Sequence, residues 1–152
     1  MSRVEARLAE LGLTLPAVPA PVAAYVPAVV SGRHVFTAGQ LPLVEGELLH
    51  TGTVGVDVTP EQAYDAARRS AVNTLAAVAS VVDLDRVVRI VKATVFVASA
   101  ADFTGQPQVA NGASELYGDV LGEAGRHARS AVGVPVLPLG APVEVELVVE
   151  VD

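Results

Sequence analysis

The sequence predicts an α+β fold: a mixed β-sheet with two main helices on one face and a short helix ahead of it. Three observations carry this. Thr59-Pro60-Glu61-Gln62 opens a long amphipathic helix, Val87 to Val97 is a long β-branched run, and the last residues alternate strictly between apolar and polar. The order reads as a β-hairpin, then β-α-β, then α-β-β. Helices laid on one side of a single sheet are the layering that buries such a set of faces.

At the N-terminus, Ser2 followed by Glu5 fits a capping box, and Val4, Leu8 and Leu11 have helical spacing. Gly12 suits the C-terminal cap, so a short helix is expected from about Arg3 to Leu11. Pro16, Pro19 and Pro21 then forbid a helix and favour an extended connector. Residues 1–20 are read as this helix and connector, and 21–152 as the folded domain. Tyr25 to Val30 and Arg33 to Ala38 are β-rich runs joined by Ser31-Gly32, a tight-hairpin signal. Residues 43–58, with Gly46, Gly52 and Gly55, support no more than a loose strand or loop.

In the long helix Thr59 is the N-cap, Pro60 the first helical residue and Gln62 the capping-box partner. Tyr64, Ala67, Ala71, Leu75, Val78 and Val82 form its buried stripe, with Asp65, Arg68, Arg69 and Asn73 outside. The run 87–97 places Val91, Ala93, Val95 and Val97 on one face and Ile90, Lys92, Thr94 and Phe96 on the other. Both faces are largely apolar, which marks a central strand and hints at an oligomer covering the second face. Pro107 can start a second helix with Val109, Ala113, Leu116 and Val120 buried. Gly112 inside it costs about 1 kcal/mol relative to Ala, so a packing or site reason is expected.

Composition narrows the function. With 152 residues and 51% hydrophobic content, a single ordered domain is the default. A formal charge of −7, three Tyr, three Phe and no Trp disfavour nucleic-acid binding, which draws on Lys, Arg and stacking aromatics. No cysteine is present, so thiolate ligands, disulfides and a cysteine nucleophile are excluded. The charged N-terminus lacks a signal-peptide core and no apolar run is long enough to span a bilayer. A soluble cytoplasmic protein is the economical reading. There is no P-loop, dinucleotide fingerprint, H-E-x-x-H motif or serine elbow, and His34, His50 and His127 read as scattered surface histidines.

The final stretch carries Arg129 at the start of one strand and Glu144 early in the next, with Val143, Val145, Leu147, Val149 and Val151 facing the core. Taken alone, the two charges read as solvated rim groups. A-R-S-A-V-G-V-P-V-L-P-L-G-A-P-V-E-V-E, however, resembles the C-terminal signature of the RidA/YjgF family, the reactive-intermediate imine deaminases formerly labelled L-PSP endoribonucleases. Y-V-P-A-V-V-S-G-R-H-V-F-T-A-G-Q-L-P is similar to the family's entry strands. V-V-R-I-V-K-A-T-V-F-V resembles its central strand, and A-D-F followed by V-A-N-G-A-S-E-L-Y resembles its helix start. The similarity runs in order from Pro21 to Asp152.

That resemblance implies a chorismate-mutase-like fold, a homotrimer with sites in clefts between subunits, and no cofactor or metal. It implies hydrolysis of 2-imino or enamine acids to 2-oxo acids and ammonia. By motif position, Arg129 matches the substrate-carboxylate arginine and Glu144 the glutamate that holds the attacking water. Tyr25, Gly39 and Asn111 match site-lining positions, and Ala131 stands where a backbone carbonyl would help hold the water. The family's small polar residue before Gly39 is Ala38 here, and its common Cys is Ala131, which with the N-terminal helix suggests a divergent branch. The competing reading is a non-catalytic trimeric binder of small carboxylates on the same fold.

Overall fold

The computed structural model describes residues 1–18 and 24–152. In chain order these form α1 (Arg3–Glu10), β1 (Ala28–Ser31), β2 (His34–Thr37), β3 (Leu43–Val44), β4 (Glu47–Leu48) and α2 (Pro60–Ala79). Then come β5 (Val87–Ala98), α3 (Gln106–Leu121), β6 (Ala128–Val134) and β7 (Val143–Val151). The main sheet has the order β1-β2-β7-β5-β6. Only β5 and β6 run parallel, joined through α3, and the other neighbours are antiparallel. This is the α+β architecture expected from the sequence, with a mixed sheet and α2 and α3 packed on one face.

Both capping boxes form. Ser2 and Glu5 exchange hydrogen bonds at α1, and Thr59 and Gln62 do so at α2. Gly12 follows α1 with a positive φ of 74°, the left-handed geometry that ends helices. Val4 and Leu8 of α1 lie in the same core as the sheet and the long helices. Pro19 and Pro21 of the expected connector lie outside the described residues. The hairpin forms at Gly32, with strands shorter than the β-rich runs, so Tyr25 precedes β1. Residues 43–48 close a small hairpin through Glu45 and Gly46, both at positive φ, a two-residue turn within the stretch where the sequence supports no more than a loose strand or loop.

Two side chains lie elsewhere than their periodicity suggests. Ile90 is buried with the core rather than with Lys92, Thr94 and Phe96, because the β5–β7 register shifts between Ile90 and Lys92. A bulge reverses the alternation of everything before it. Asn73, placed on the outer side of α2, is buried. Its amide donates to the carbonyls of Leu41 (2.8 Å) and Leu43 (3.1 Å), and Arg69 donates to Leu43 O at 2.8 Å. These bonds tie residues 41–43 to α2 and thereby hold the segment after β2 in place.

The sheet has two unlike sides. Val35, Ala93, Val95 and the odd-numbered residues 143–151 face the helices and are buried. Register puts Val29, Phe36, Val148, Glu144, Glu146, Lys92, Thr94, Phe96, Ser130 and Val132 on the opposite side. No helix among the described residues covers that side, and Phe36 is 46% exposed.

Candidate functional site

Arg129 belongs to the helix-facing side of edge strand β6, because its register partner is the buried Ala93. From there its side chain meets α3. Nη1 donates to Asn111 Oδ1 at 2.8 Å and to Ser114 Oγ at 3.1 Å. Asn111 and Ser114 are three residues apart on α3, so they stand on one face of the helix. Asn111 is not a helix cap, since the N-cap is Gly105. Gly112 next to it has a packing reason: a Cβ there would stand 2.1 Å from Tyr64 O of α2. The absence of that side chain lets α3 approach α2.

Arg129 is half-buried, and none of the ion pairs among the described residues includes it. Its charge is thus oriented by two neutral oxygens and left without a carboxylate. Ala131, two residues on, shares the same side of β6 and packs against the core.

His127 does not behave as a scattered surface residue. Its Nε2 is 2.9 Å from Ser114 Oγ, its Nδ1 is 2.6 Å from Gly125 O, and Tyr117 packs against it edge-on at 5.6 Å between centroids. Ser114 and His127 are the two residues of this corner that motif matching passed over. Spacing carries their signal: Ser114 is one helical turn from Asn111, and His127 stands two residues before Arg129, just ahead of β6.

Glu144 occupies a different place. It lies on the open side of β7, opposite Phe96 of β5, and is half-buried. Burial, with repulsion from Glu146, pushes its carboxyl above the ordinary value. Gly39 makes room for it: a Cβ at position 39 would lie 2.0 Å from Glu144 Oε1. The Gln40–Val145 bridge, with N–H to O distances of 2.8 and 3.0 Å between backbone heavy atoms, holds Gly39 against that strand. Tyr25 is 66% exposed ahead of β1.

The structure therefore groups the residues in two sets, Arg129 with Asn111 and Ala131, and Glu144 with Gly39. Between the sets lie strand β5 and a three-residue offset in register, with the side chains on opposite sides of the sheet. Strand spacing and rise put the two Cα atoms about 14 Å apart. One chain does not bring Arg129 and Glu144 into one cleft. Two clefts of about 510 and 500 Å³ among the described residues lie elsewhere, one beside the start of α1 and one beside His127. No group of three or more metal-ligating side chains occurs among the described residues, and no helix is long and apolar enough to cross a membrane.

A family model described as "YjgF/chorismate mutase-like, putative endoribonuclease" matches residues 5–151. Protein TCP17 of Trypanosoma cruzi is 47% identical over 152 residues, 99% of this chain and 95% of that protein. The crystal structure of Atu1372 from Agrobacterium tumefaciens, a protein of unknown function, superposes with a TM-score of 0.92 at 48% identity, covering 98% of this chain and 93% of that one. Escherichia coli TdcF with bound serine superposes with a TM-score of 0.63 at 27% identity, covering 91% and 96%. The first of these structures matches this chain almost throughout and the second less closely. The chain belongs to the YjgF/chorismate mutase-like family.

Proposed function

We propose that the protein hydrolyses reactive 2-imino and enamine acids to 2-oxo acids and ammonia, in clefts assembled between copies in a homotrimer. The observation that carries this reading is Arg129: a half-buried guanidinium oriented by Asn111 and Ser114 with no carboxylate of its own. A guanidinium so held grips a carboxylate with fixed geometry and permanent charge. The bound serine of TdcF, a small amino acid with an α-carboxylate, is compatible with such an anchor in a relative.

In this mechanism Arg129 fixes the substrate carboxylate and so places the imine carbon. Glu144, aided by the Ala131 carbonyl on the edge strand, holds a water and takes its proton as the oxygen bonds to that carbon. The imine nitrogen gains a proton, and the tetrahedral adduct collapses, forming the C=O bond and releasing ammonia. A carboxyl raised above its usual value suits a general base better than a fully solvated one. Since Arg129 and Glu144 stand on opposite sides of one sheet, the cleft takes Arg129 from one copy and Glu144 from its neighbour. Gly39 accompanies Glu144, and the exposed Tyr25 ahead of β1 is assigned to the wall of the cleft. The family's ribonuclease label fits this chain less well, because its charge is −7 and it has no Trp.

The test is to generate 2-aminoacrylate or a longer 2-imino acid in situ and follow 2-oxo acid release. Wild type should exceed the spontaneous rate, and Arg129→Ala and Glu144→Gln should each remove the acceleration. A wild-type protein without acceleration refutes the hydrolase, and the non-catalytic carboxylate binder then remains if Arg129-dependent binding persists.

A further inference from the structure

Resting on Arg129 as the carboxylate anchor, we propose that His127, acting through Ser114, is a positioning residue that decides which edge of the guanidinium faces the substrate. Nη1 of Arg129 carries two hydrogens, and both are used, one toward Asn111 Oδ1 and one toward Ser114 Oγ. Only Nε and Nη2 are left for a carboxylate. The substrate is therefore gripped side-on, through the Nε–Nη2 edge.

Ser114 can accept from Arg129 dependably only if its own single hydrogen is directed elsewhere. His127 supplies that direction. Gly125 O can only accept, so Nδ1 at 2.6 Å carries a ring hydrogen, and in the neutral ring Nε2 is then the bare nitrogen. The Ser114 hydroxyl, 2.9 Å from Nε2, donates to it and turns a lone pair toward Arg129. Without that acceptor a helical serine hydroxyl turns to a backbone carbonyl of its own helix, and the lone pair leaves Nη1.

The imidazole is itself held from below. Gly125 packs closely on the Tyr117 backbone, where a Cβ would lie 2.2 Å from Tyr117 O. The Tyr117 ring is fully buried, and its hydroxyl is 2.6 Å from Thr74 Oγ1 on α2. The aim of the guanidinium is thus set by a chain of contacts that begins in the core between α2 and α3.

Binding of 2-oxobutanoate by calorimetry, and turnover of 2-iminobutanoate generated in situ, test this in the intact protein. His127→Phe keeps an aromatic ring against Tyr117 but removes the acceptor. It should weaken 2-oxobutanoate binding and raise KM about tenfold while kcat changes little, the signature of lost ground-state anchoring. His127→Gln, with an amide oxygen for Ser114, should recover most of the loss. Ser114→Ala should match His127→Phe, and the double variant should be no worse than either, because both remove one link. Unchanged Kd and KM in His127→Phe, equal damage in His127→Gln, or additive losses overturn the proposal. If His127→Phe does not fold, an unaffected Ser114→Ala overturns it alone. Arg129→Ala separates the two ideas: undiminished 2-oxobutanoate binding there refutes the anchor itself. Binding lost in Arg129→Ala but intact in His127→Phe refutes only the positioning role.

Discussion

Gly39 and the carboxylate of Glu144 occupy adjoining space so tightly that a methyl group on residue 39 would stand 2.0 Å from Oε1. The φ of Gly39 is one that any residue can adopt, so the glycine is there for room. The atoms it would strike are the far end of a flexible side chain. Gly39→Ala should therefore displace the Glu144 carboxylate and leave the fold nearly intact. On the proposed function, the expected result is a loss of about 100-fold in imine hydrolysis, the scale of a 1 Å misplacement. Thermal unfolding should show a stability change below about 1 kcal/mol.

Glu144→Gln separates chemistry from stability. On the proposed mechanism, removing this general base is expected to cost about 100-fold or more in turnover. The wild-type carboxyl is raised by burial and by Glu146, so its neutral form is the one the fold prefers. Its contribution to stability is complete below the ordinary carboxylate range and is lost as pH rises through the raised value. Glu144→Gln should then unfold at a slightly higher temperature than wild type near neutral pH, with the difference vanishing in acid. Wild-type activity should rise across the same window as the base ionises. A pH series of melting curves and initial rates checks both signs.

Gly112→Ala sets two effects against each other. Helix propensity favours Ala by about 1 kcal/mol. Against it, the new Cβ would lie 2.1 Å from the backbone oxygen of Tyr64, which cannot move without separating α2 and α3. Overpacking of this kind costs about 1–3 kcal/mol and should win. Denaturant unfolding should show net destabilisation, whereas a gain in stability would mean that the helices can part easily.

Leu8→Ala examines the N-terminal helix. Leu8 is 0% exposed, within the same core as β5 and β7. The expected loss is about 2–5 kcal/mol, as for other fully buried leucines. A helix that merely rested on the domain would show almost none.

Much of this architecture was legible because local rules and tertiary packing agree. The capping boxes at Ser2 and Thr59, the turn at Gly32 and the alternation of residues 143–151 each follow from short-range chemistry. Ile90 and Asn73 were misplaced because a bulge and a distant loop decided their environments, and neither leaves a periodic trace. The candidate site divided in the same way. Arg129, Glu144, Gly39, Asn111 and Ala131 stand out by motif. Ser114 and His127 do not, because their significance lies in whom they touch. That Arg129 and Glu144 sit on opposite sides of the sheet follows from strand register, which single residues do not announce.

This two-sidedness makes loss of function a property of pairs of chains. On the proposed reading, an Arg129→Ala polypeptide is inactive alone yet still carries an intact Glu144, and a Glu144→Gln polypeptide carries the reverse defect. Refolded together in equal amounts, the two dead proteins should complement one another. Random assembly around a three-fold ring gives a competent neighbour pair at one interface in four, so about a quarter of wild-type activity should return. A mixture that stays inactive would place both groups' work within one subunit. In a cell holding both alleles, neither mutation would behave as a simple null.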